Sequence, residues 1–397
     1  MNCILESDIS HLGHPDLDLI EGLLKELREA EVPPFARLET DLGPIREAAE
    51  KVKDAKNVVV IGHGGSITTF KGILNSLGRR LTAGRNFHLI DTVDPVHLGY
   101  VKRMCSPEDT HVIAVSKSGN TLTVLEVLSV FKGYPSTAVT QPGHGALRKL
   151  AKAGGWGIVD VPEDVGGRFS GGTASALLPA IVLGINVENF LDGLREAYRS
   201  AREDDGMLNL SGAFYMVERL GKRTIFIPVY SKGLSAFNDL VTQLFHETLG
   251  KGRKGLTVLC FEGPECQHHT NQRVLDGPED VATLFVLVDG IDGEQVSWPD
   301  TSTEYKGVPM SEMGPYTFKK AIWSEAKGVM GSMDELGAPY ASVVLKAEDE
   351  KAIGFYVGMM QYLAYYFALL RRVEPFDQPA VEKAKEIALS NRGANGV

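Results

Sequence analysis

The chain has 397 residues, of which 43% are apolar and 23% are charged, and its formal net charge is −10 at pH 7. This composition is ordinary for a globular protein, and the length predicts two domains of roughly 100–200 residues each. The acidic balance argues against a general nucleic-acid or anionic-membrane surface, although a basic pocket can exist inside an acidic protein.

The sequence shows no pattern typical of a secreted or membrane protein. The N-terminus lacks a basic start followed by an apolar run, so we expect no signal peptide. The most apolar stretches, Ala174–Ile185 and Met359–Leu370, are shorter than the ~20 residues that span a bilayer. We therefore expect a cytoplasmic protein with no membrane partner.

The cysteines are few and scattered, which is typical of a reduced compartment: Cys3, Cys105, Cys260 and Cys266. Cys260, Cys266 and His268 lie close together in the sequence but lack the paired spacing of a structural zinc site. We expect no metal site.

The first 56 residues predict a helical N-terminal extension. Apolar residues from Leu17 to Leu27 recur at three- and four-residue steps, which is typical of one face of a helix. Pro33–Pro34 ends that helix, and a second helix is expected over Leu42–Val52.

A strand–turn–helix pattern follows this extension. The β-branched run Val58–Ile61 is typical of a buried parallel strand, and the turn Gly62–Ser66 precedes a helical segment. Such a unit presents backbone N–H groups at a helix N-terminus, which favours anion binding. The dinucleotide fingerprint fails because Ile67 occupies the position of its third glycine. A tight turn alone explains the glycines but not Ser66.

The most specific local signal is the loop Ser116–Thr121. It follows the predicted strand His111–Val115 and precedes the predicted helix Leu122–Phe131. Hydroxyl and N–H groups can grip phosphate oxygens, the helix dipole favours negative charge, and Lys117 adds a cation. Serine and threonine are also good helix N-caps, but this density of donors directly after a buried strand favours phosphate binding.

A further glycine-rich loop, Gly166–Thr173, carries Arg168. It follows the predicted strands Ser136–Thr140 and Gly157–Val161 and precedes the apolar helix Ala174–Leu183. Glycines let the backbone approach a ligand closely, and the fixed charge of Arg168 can stabilise an oxyanion. Taken alone, the segment is equally compatible with a solvated arginine in a flexible loop.

A second α/β unit is expected from about residue 207. Residues 290–317 are polar and predict a loop or lid, whereas the long apolar helix near the end is expected to be buried between domains or subunits. The predicted elements are the strands Thr224–Pro228, 256–261, Val281–Val288 and Tyr340–Lys346 and the helices Ser235–Thr248, Lys319–Met330, Lys351–Arg371 and Ala380–Ser390.

Candidate proton-transfer residues lie between positions 242 and 272. Gln243 and Glu247 are four residues apart and share a face of the predicted helix, and Gln267–His269 follow the next strand. A carboxylate at a helix end and an imidazole at a strand end can converge on one ligand. Glu247 and Lys251 also fit an ordinary i,i+4 surface ion pair, and the histidines also fit a polar loop.

Together and in this order, the motifs resemble those of the phosphoglucose isomerase family, which is built from two sugar isomerase (SIS) domains. The resemblance extends from about Asn57 to Leu389. The matching segments are the turn Gly62–Ser66, the phosphate loop Ser116–Thr121, the Gly-Gly-Arg-aromatic-Ser segment Gly166–Ser170, the Glu-Ser-x-Gly-Lys-like segment Glu247–Lys251, Gln267 with His268, Gln272, and the pair Gln378 and Lys385.

The resemblance implies an α/β fold with two SIS-type, doubly wound parallel-sheet domains and helical N- and C-terminal extensions. The expected boundaries are residues 1–56 for the N-terminal extension, 57–206 for the first SIS domain, 207–374 for the second, and 375–397 for the C-terminal tail.

The resemblance also implies an aldose–ketose isomerase that interconverts D-glucose 6-phosphate and D-fructose 6-phosphate through a cis-enediolate. In such an enzyme Glu247 would move a proton between C1 and C2, and Arg168 would stabilise the enediolate. His268 and Lys385 would assist ring opening, and Gln378 would orient the substrate.

No metal or organic cofactor is implied. The family's histidine comes from the neighbouring subunit, so the resemblance implies a homodimer with His268 donated across the interface. The substrate-binding positions that it implies, besides Gln378, are Gly65, Ser66, Ser116, Lys117, Ser118, Thr121 and Gln243.

Three departures from the family pattern put the sugar preference in question rather than the reaction class. His63 replaces an isoleucine, Thr248 replaces the signature serine, and Val124 replaces a frequent threonine. Mannose 6-phosphate differs from glucose 6-phosphate only at C2, so it, or another anionic sugar, is an alternative substrate.

A non-catalytic SIS sensor of a sugar phosphate is the alternative from another function class. A sensor needs only the phosphate loop, whereas Arg168, Glu247, His268 and Lys385 are all present, which favours an enzyme. No basic helix-turn-helix segment is found at either end, so no nucleic-acid partner is expected.

Overall fold

The computed structural model describes residues 4–12, 17–81, 84–290, 293–296 and 303–393, which form two five-stranded sheets with helices around them. Cys3 and part of the predicted loop or lid 290–317 lie outside the described residues. The N-terminal elements are β1 (Ile4–Asp8), α1 (Leu17–Arg28) and α2 (Leu42–Glu50).

The first sheet is built from β2 (Asn57–Gly62), β3 (Asn86–Ile90), β4 (Thr110–Val115), β5 (Ser136–Thr140) and β6 (Gly157–Asp160), and the helices of this part are α3 (Thr68–Ser76), α4 (Pro95–Met104), α5 (Leu122–Val130), α6 (Ala146–Gly154) and α7 (Ala174–Leu183). The sheet is entirely parallel, with its strands in the spatial order β3-β2-β4-β5-β6. Every residue of β2, β4 and β5 is buried, as their continuous apolar and β-branched sequences require in a sheet covered on both faces.

The elements that follow are α8 (Val187–Glu203), α9 (Asp205–Arg219), β7 (Thr224–Tyr230), α10 (Lys232–Ser235), α11 (Asn238–Leu249), β8 (Thr257–Glu262), α12 (Asn271–Asp276), β9 (Val281–Val288), β10 (Gln295–Val296), β11 (Glu304–Tyr305), β12 (Val308–Pro309), β13 (Tyr316–Thr317), α13 (Phe318–Leu336), β14 (Tyr340–Leu345), α14 (Glu350–Arg371) and α15 (Glu382–Ser390). The second sheet has the order β1-β14-β9-β7-β8, in which β1 alone is antiparallel to its neighbour.

The N-terminal strand β1 was not among the predicted elements. It pairs with β14, with Ser7 opposite Val343, so the start of the chain extends the second sheet rather than the first. Its five residues, ILESD, are too few and too polar to show a clear strand period, and their pairing depends on a strand more than 330 positions away.

The predicted helix Ser235–Thr248 corresponds to α11, which begins later, at Asn238; Ser235 ends the short helix α10, and Ala236 and Phe237 separate the two helices. The Phe237 ring packs so tightly against α3 that a Cβ on Gly72 would lie 2.3 Å from it. This tertiary contact fixes the break, which helix propensity alone does not predict.

The long helix α14 is buried along nearly its whole length against α8, as expected from its sequence. Their backbones touch at glycines: a Cβ on Gly354 would lie 2.0 Å from the carbonyl oxygen of Phe190, and one on Gly193 would lie 1.9 Å from that of Lys351. Among the described residues, α14 is the one helix whose length and composition would allow it to cross a membrane, and here it forms part of the interior.

Candidate active site

The candidate site lies where the strand order of the first sheet reverses. The chain passes from β2 outward to β3 and then returns to β4 on the other side of β2. The turn Gly62–Ser66 follows β2 and the loop Ser116–Thr121 follows β4, so both meet at the carboxyl ends of adjacent strands. Open α/β sheets bind ligands at such switch points.

The loop after β4 is held by its own side chains. The hydroxyls of Ser116 and Thr121 are 2.9 Å apart, and Ser118 Oγ accepts a hydrogen bond from the Asn120 N–H at 3.2 Å. Thr121 is the N-cap residue of α5, but its hydroxyl bonds Ser116 instead of capping the helix. The helix therefore begins with hydroxyls close to its positive end, which is the arrangement expected of an anion site.

Lys117 supplies the cation of this loop. Burial lowers the pKa of Lys117, and the charges of Asp164 and Glu163 oppose that effect. A half-buried ammonium has lost part of its hydration, so binding an anion beside it would restore favourable electrostatic interactions.

Arg168 is the central group of the site, since its side chain is 2% exposed and bonds two distant segments of the chain. Its Nη1 donates to Glu247 Oε2 at 3.1 Å and to Gln378 Oε1 at 2.8 Å, while its Nε donates to Thr248 Oγ1 at 2.9 Å. Nη2 donates to the backbone carbonyls of Pro375 and Asp377, at 2.6 and 3.1 Å.

Burial lowers the pKa of Arg168, and the Glu247 carboxylate opposes this shift. A guanidinium stays protonated at neutral pH in proteins, so Arg168 is a fixed positive charge held in a dry environment. Of the two interpretations of this loop, the solvated arginine is wrong.

Glu247 lies near the end of α11 with both carboxylate oxygens oriented. Oε2 accepts from Arg168, and Oε1 accepts from Gln243 Nε2 at 2.9 Å. Gln243 is in turn positioned by Thr68, whose Oγ1 is 3.3 Å from Gln243 Oε1. The Glu247 side chain remains 31% exposed, so a ligand can reach a carboxylate whose direction is already set.

The surface ion pair considered for Glu247 and Lys251 is not formed. Lys251 Nζ instead contacts Asp377 Oδ1 at 2.7 Å and the carbonyl oxygen of Glu374. Lys251 therefore holds the segment that places Gln378 beside Arg168, and the Glu247 carboxylate is not paired with Lys251.

Gly65 has a packing role that its sequence context did not reveal. A Cβ on Gly65 would lie 2.3 Å from the backbone nitrogen of Arg168 and 2.8 Å from its Cα. The next residue, Ser66, is also close to this loop, because a Cβ on Gly167 would lie 3.3 Å from the Ser66 nitrogen. The turn after β2 and the arginine loop are thus in direct backbone contact.

His63, the departure in the turn after β2, is half-buried, and neither of its ring nitrogens has a hydrogen-bond partner among the described residues. Burial lowers the pKa of His63, and the charge of Asp91 opposes this effect. The structure gives no physical account of this unpaired imidazole.

Two predicted site residues are not gathered with Glu247 in this chain. Lys385 is exposed on α15, where its Nζ pairs with Glu382 at 2.7 Å. His268 is exposed at the end of a short 3₁₀ turn, Glu265–His268, and its side chain makes no hydrogen bond within the described part of the chain. Its neighbour Gln267 donates to the Tyr230 hydroxyl at 3.0 Å.

Two residues that support the site were missed as contributors. Thr248 was noted only as a replacement for serine, yet its hydroxyl accepts from Arg168, a bond that serine could also make. Thr68 contacts Gln243 from the first turn of α3, and no local sequence signal identifies it. Within the residues that the structure describes, no three His, Cys, Asp or Glu side chains gather as metal ligands.

Comparisons with known proteins identify the family. A probable glucose-6-phosphate isomerase of Haloarcula marismortui is 30% identical over 358 residues, covering 87% of this chain and 80% of the relative. The chain belongs to the glucose-6-phosphate isomerase family. The enzyme of that name from Methanocaldococcus jannaschii is 29% identical over 347 residues, covering 84% of this chain and 83% of its own. No protein-family model matches the chain.

Solved structures confirm the expected fold class. Hypothetical protein TT0462 from Thermus thermophilus superposes with a TM-score of 0.84 at 26% identity, covering 98% of this chain and all of that one. A glucose-6-phosphate isomerase from Chlamydia trachomatis shares the fold at a TM-score of 0.72 and 20% identity, covering 96% of this chain and 75% of its own. The predicted α/β fold class, with two doubly wound sheets of SIS type, is thus correct, and β1 adds one antiparallel strand to the otherwise parallel second sheet.

Proposed function

We propose that this protein interconverts glucose 6-phosphate and fructose 6-phosphate by moving a proton between C1 and C2 of the open-chain sugar. The observation that carries the proposal is the buried guanidinium of Arg168, 3.1 Å from the partly exposed carboxylate of Glu247, beside a phosphate-type loop. The names of the relatives agree with this activity.

Glu247 is the proposed base. It takes the C2 proton of glucose 6-phosphate and returns it to C1, and the reverse reaction uses the same carboxylate. Because Gln243 and Arg168 fix the two carboxylate oxygens, the base is oriented before the substrate arrives. A positioned general base contributes typically 10²–10⁴-fold to the rate.

Arg168 is the proposed electrostatic partner of the enediolate. The intermediate carries negative charge on the oxygens of C1 and C2, and a fixed, desolvated cation stabilises such charge by about 3–4 kcal/mol. Gln378, which accepts from Arg168, is the proposed group that orients the sugar hydroxyls. The electrons of the reaction move within the sugar, so neither a metal nor an organic cofactor is required.

The phosphate is proposed to bind at the carboxyl ends of β2 and β4, where its binding energy positions the remote reacting carbons. The donors for it are the hydroxyls and ammonium group of Ser66, Ser116, Lys117, Ser118 and Thr121 and the backbone N–H groups of the two turns, among them that of Gly65.

We further propose a homodimer in which each subunit gives His268 to the other's site for ring opening. The support is that the His268 side chain is exposed and has no hydrogen bond to the described residues, while Arg168 and Glu247 are already assembled without it. Lys385 is exposed, so its proposed role in ring opening requires α15 to approach the bound sugar. The two SIS units, residues 57–206 and 207–374, with their extensions 1–56 and 375–397, and the cytoplasmic location are part of the same proposal.

Subunit mixing tests the shared site. Glu247→Gln and His268→Ala chains are each expected to be inactive, but co-refolded mixtures contain heterodimers with one intact site. Half of the dimers would be heterodimers, so about a quarter of the wild-type activity should return. If the mixtures stay inactive, His268 does not act across the interface.

The reaction itself is tested by supplying fructose 6-phosphate and detecting glucose 6-phosphate, with mannose 6-phosphate followed in parallel. Formation of glucose 6-phosphate as the main product supports the proposal. Preferential formation of mannose 6-phosphate would reassign the substrate. Binding of fructose 6-phosphate without any product would instead support a sensor.

A further inference from the structure

Four arginines line one cavity on the side of the protein formed by α8 and the segment after α1. The cavity has a volume of about 290 Å³, and we call it the arginine pocket. Its polar and aromatic lining residues are Arg37, Arg195, Tyr198, Arg199, Arg202 and Tyr362, and three aliphatic side chains complete it.

This charge distribution is unusual for the chain as a whole. The protein has a net charge of −10, yet the lining of the arginine pocket contains four arginines and no acidic side chain. Arg195, Arg199 and Arg202 are spaced by four and three residues, so one face of α8 points them in the same direction.

The carboxylates that contact these arginines lie outside the pocket lining. Arg37 contacts Asp164 at 3.1 Å, and two arginines of α8 contact acids of their own helix at 2.7 and 3.8 Å. Such exposed pairs contribute only about 0.2–1 kcal/mol each, so they compete weakly with a multivalent anion inside the pocket. A guanidinium also has five N–H donors in a fork that fits phosphate and carboxylate groups.

Tyr362 adds a buried polar group to the wall of the pocket. It is 1% exposed, and its hydroxyl lies close to Arg202. Burial raises the pKa of Tyr362 to about 12, and the charge of Arg202 and a hydrogen bond with it oppose this shift. The hydroxyl and the Arg202 guanidinium are therefore neighbouring donors that one anionic group could contact together.

We propose that the arginine pocket is a second ligand site for a compact phosphorylated or polycarboxylate metabolite with at least two negative charges. Its volume is at the lower end of the roughly 300–1,000 Å³ of small-molecule pockets, which favours such an anion over a nucleotide. The tyrosine and aliphatic walls would contact the carbon skeleton, and the arginines would contact the anionic groups.

The pocket is also connected to the catalytic arginine by aromatic rings. Phe35 lies edge-on to Tyr198 and Tyr362, with ring centroids 5.5 Å apart in both pairs, and stacks on Phe169 at 4.7 Å. Phe169 is the residue after Arg168. If the proposed isomerase function holds, occupation of the arginine pocket should change kcat without displacing the sugar phosphate.

Pyrophosphate is a suitable probe, and isothermal titration at constant ionic strength measures its binding. Because it can also enter the phosphate loop, the double variant Lys117→Met/Ser118→Ala is titrated first and should retain binding to the arginine pocket. Arg195→Gln/Arg199→Gln should bind about 100-fold more weakly at this pocket, since each charged hydrogen-bonding partner is worth about tenfold. These side chains are 54% and 62% exposed, so the variant should fold normally.

Arg46→Gln is the matched control, because it removes an exposed arginine that pairs with Glu188 but does not line the pocket. Equal pyrophosphate binding by wild type, control and Arg195→Gln/Arg199→Gln overturns the proposal. The proposal is also overturned if Arg195→Gln/Arg199→Gln changes the oligomeric state, measured by light scattering, without changing pyrophosphate binding. The arginine pocket would then be a subunit contact rather than a ligand site. These readouts do not depend on isomerase activity, so a failure of the proposed function is recognised separately.

Discussion

The contact between Gly65 and Arg168 makes the sharpest prediction about the site. A methyl group at position 65 would lie 2.3 Å from the Arg168 nitrogen, whereas ordinary contacts begin at about 3.4 Å. The Gly65→Ala substitution must therefore separate the two turns by about 1 Å. Gly65 does not have a positive φ, so the substitution changes this contact without straining its own backbone.

A misplacement of about 1 Å in a catalytic group can lower the rate about 100-fold. Gly65→Ala should therefore lower kcat/KM for fructose 6-phosphate by about that factor, and overpacking should lower the free energy of unfolding by about 1–3 kcal/mol. A coupled assay for glucose 6-phosphate and urea unfolding measure the two effects.

Gly166→Ala is the control in the same loop. Gly166 has φ −60°, and an added Cβ would lie 3.7 Å from the Phe169 ring, so a methyl group fits. Its kcat/KM should stay within about twofold of wild type. If Gly65→Ala also stays within twofold, the close approach of the two turns does not position Arg168.

Three further predictions concern stability. Gly354→Ala should lower the free energy of unfolding by about 1–3 kcal/mol, because its Cβ meets the Phe190 carbonyl. The control Gly328→Ala, which has open space around it in α13, should raise the free energy of unfolding by about 0.5–1 kcal/mol. Equal midpoints of urea unfolding for the two variants would contradict the close packing of α8 and α14. Thr248→Val should lower it by about 1–3 kcal/mol by leaving Arg168 Nε unpaired, and Thr248→Ser should not, so equal losses in both would remove the role of this hydroxyl. Burial lowers the pKa of His111 to about 4, so on acidification from pH 6.5 to 4 the unfolded chain takes up a proton that the folded chain does not. The free energy of unfolding therefore decreases as the pH falls over that interval. When the pH is lowered from 7.5 to 5, the free energy of unfolding of wild type should fall by about 2 kcal/mol more than that of His111→Gln. Equal losses in the two proteins would show that His111 does not cause this pH dependence.

The strands and the site loops could be predicted because their signals are local. Continuous β-branched runs followed by glycine and hydroxyl turns mark β2 and β4, and these strands bring Ser66 and Ser116–Thr121 to one edge. The order of the motifs along the chain predicts Glu247 and Arg168 as site residues, and the structure places their charged groups 3.1 Å apart.

The remaining features depend on contacts between distant segments. Nothing near Gly65 in the sequence reveals that it touches Arg168, and β1 is defined only by its pairing with β14. The arginine pocket likewise combines three arginines spaced along α8 with Arg37, which comes from more than 150 positions earlier. Spacing alone could have indicated the first three but not the fourth.

The measurement that tests the central claim most directly follows the proton itself. Wild type and Glu247→Gln are incubated with fructose 6-phosphate in D₂O, and deuterium at C2 of glucose 6-phosphate is followed by NMR. Wild type should form labelled product, while Glu247→Gln should still bind fructose 6-phosphate but turn over about 10²–10⁴-fold more slowly. Labelled product formed at the wild-type rate by Glu247→Gln would show that another group is the base.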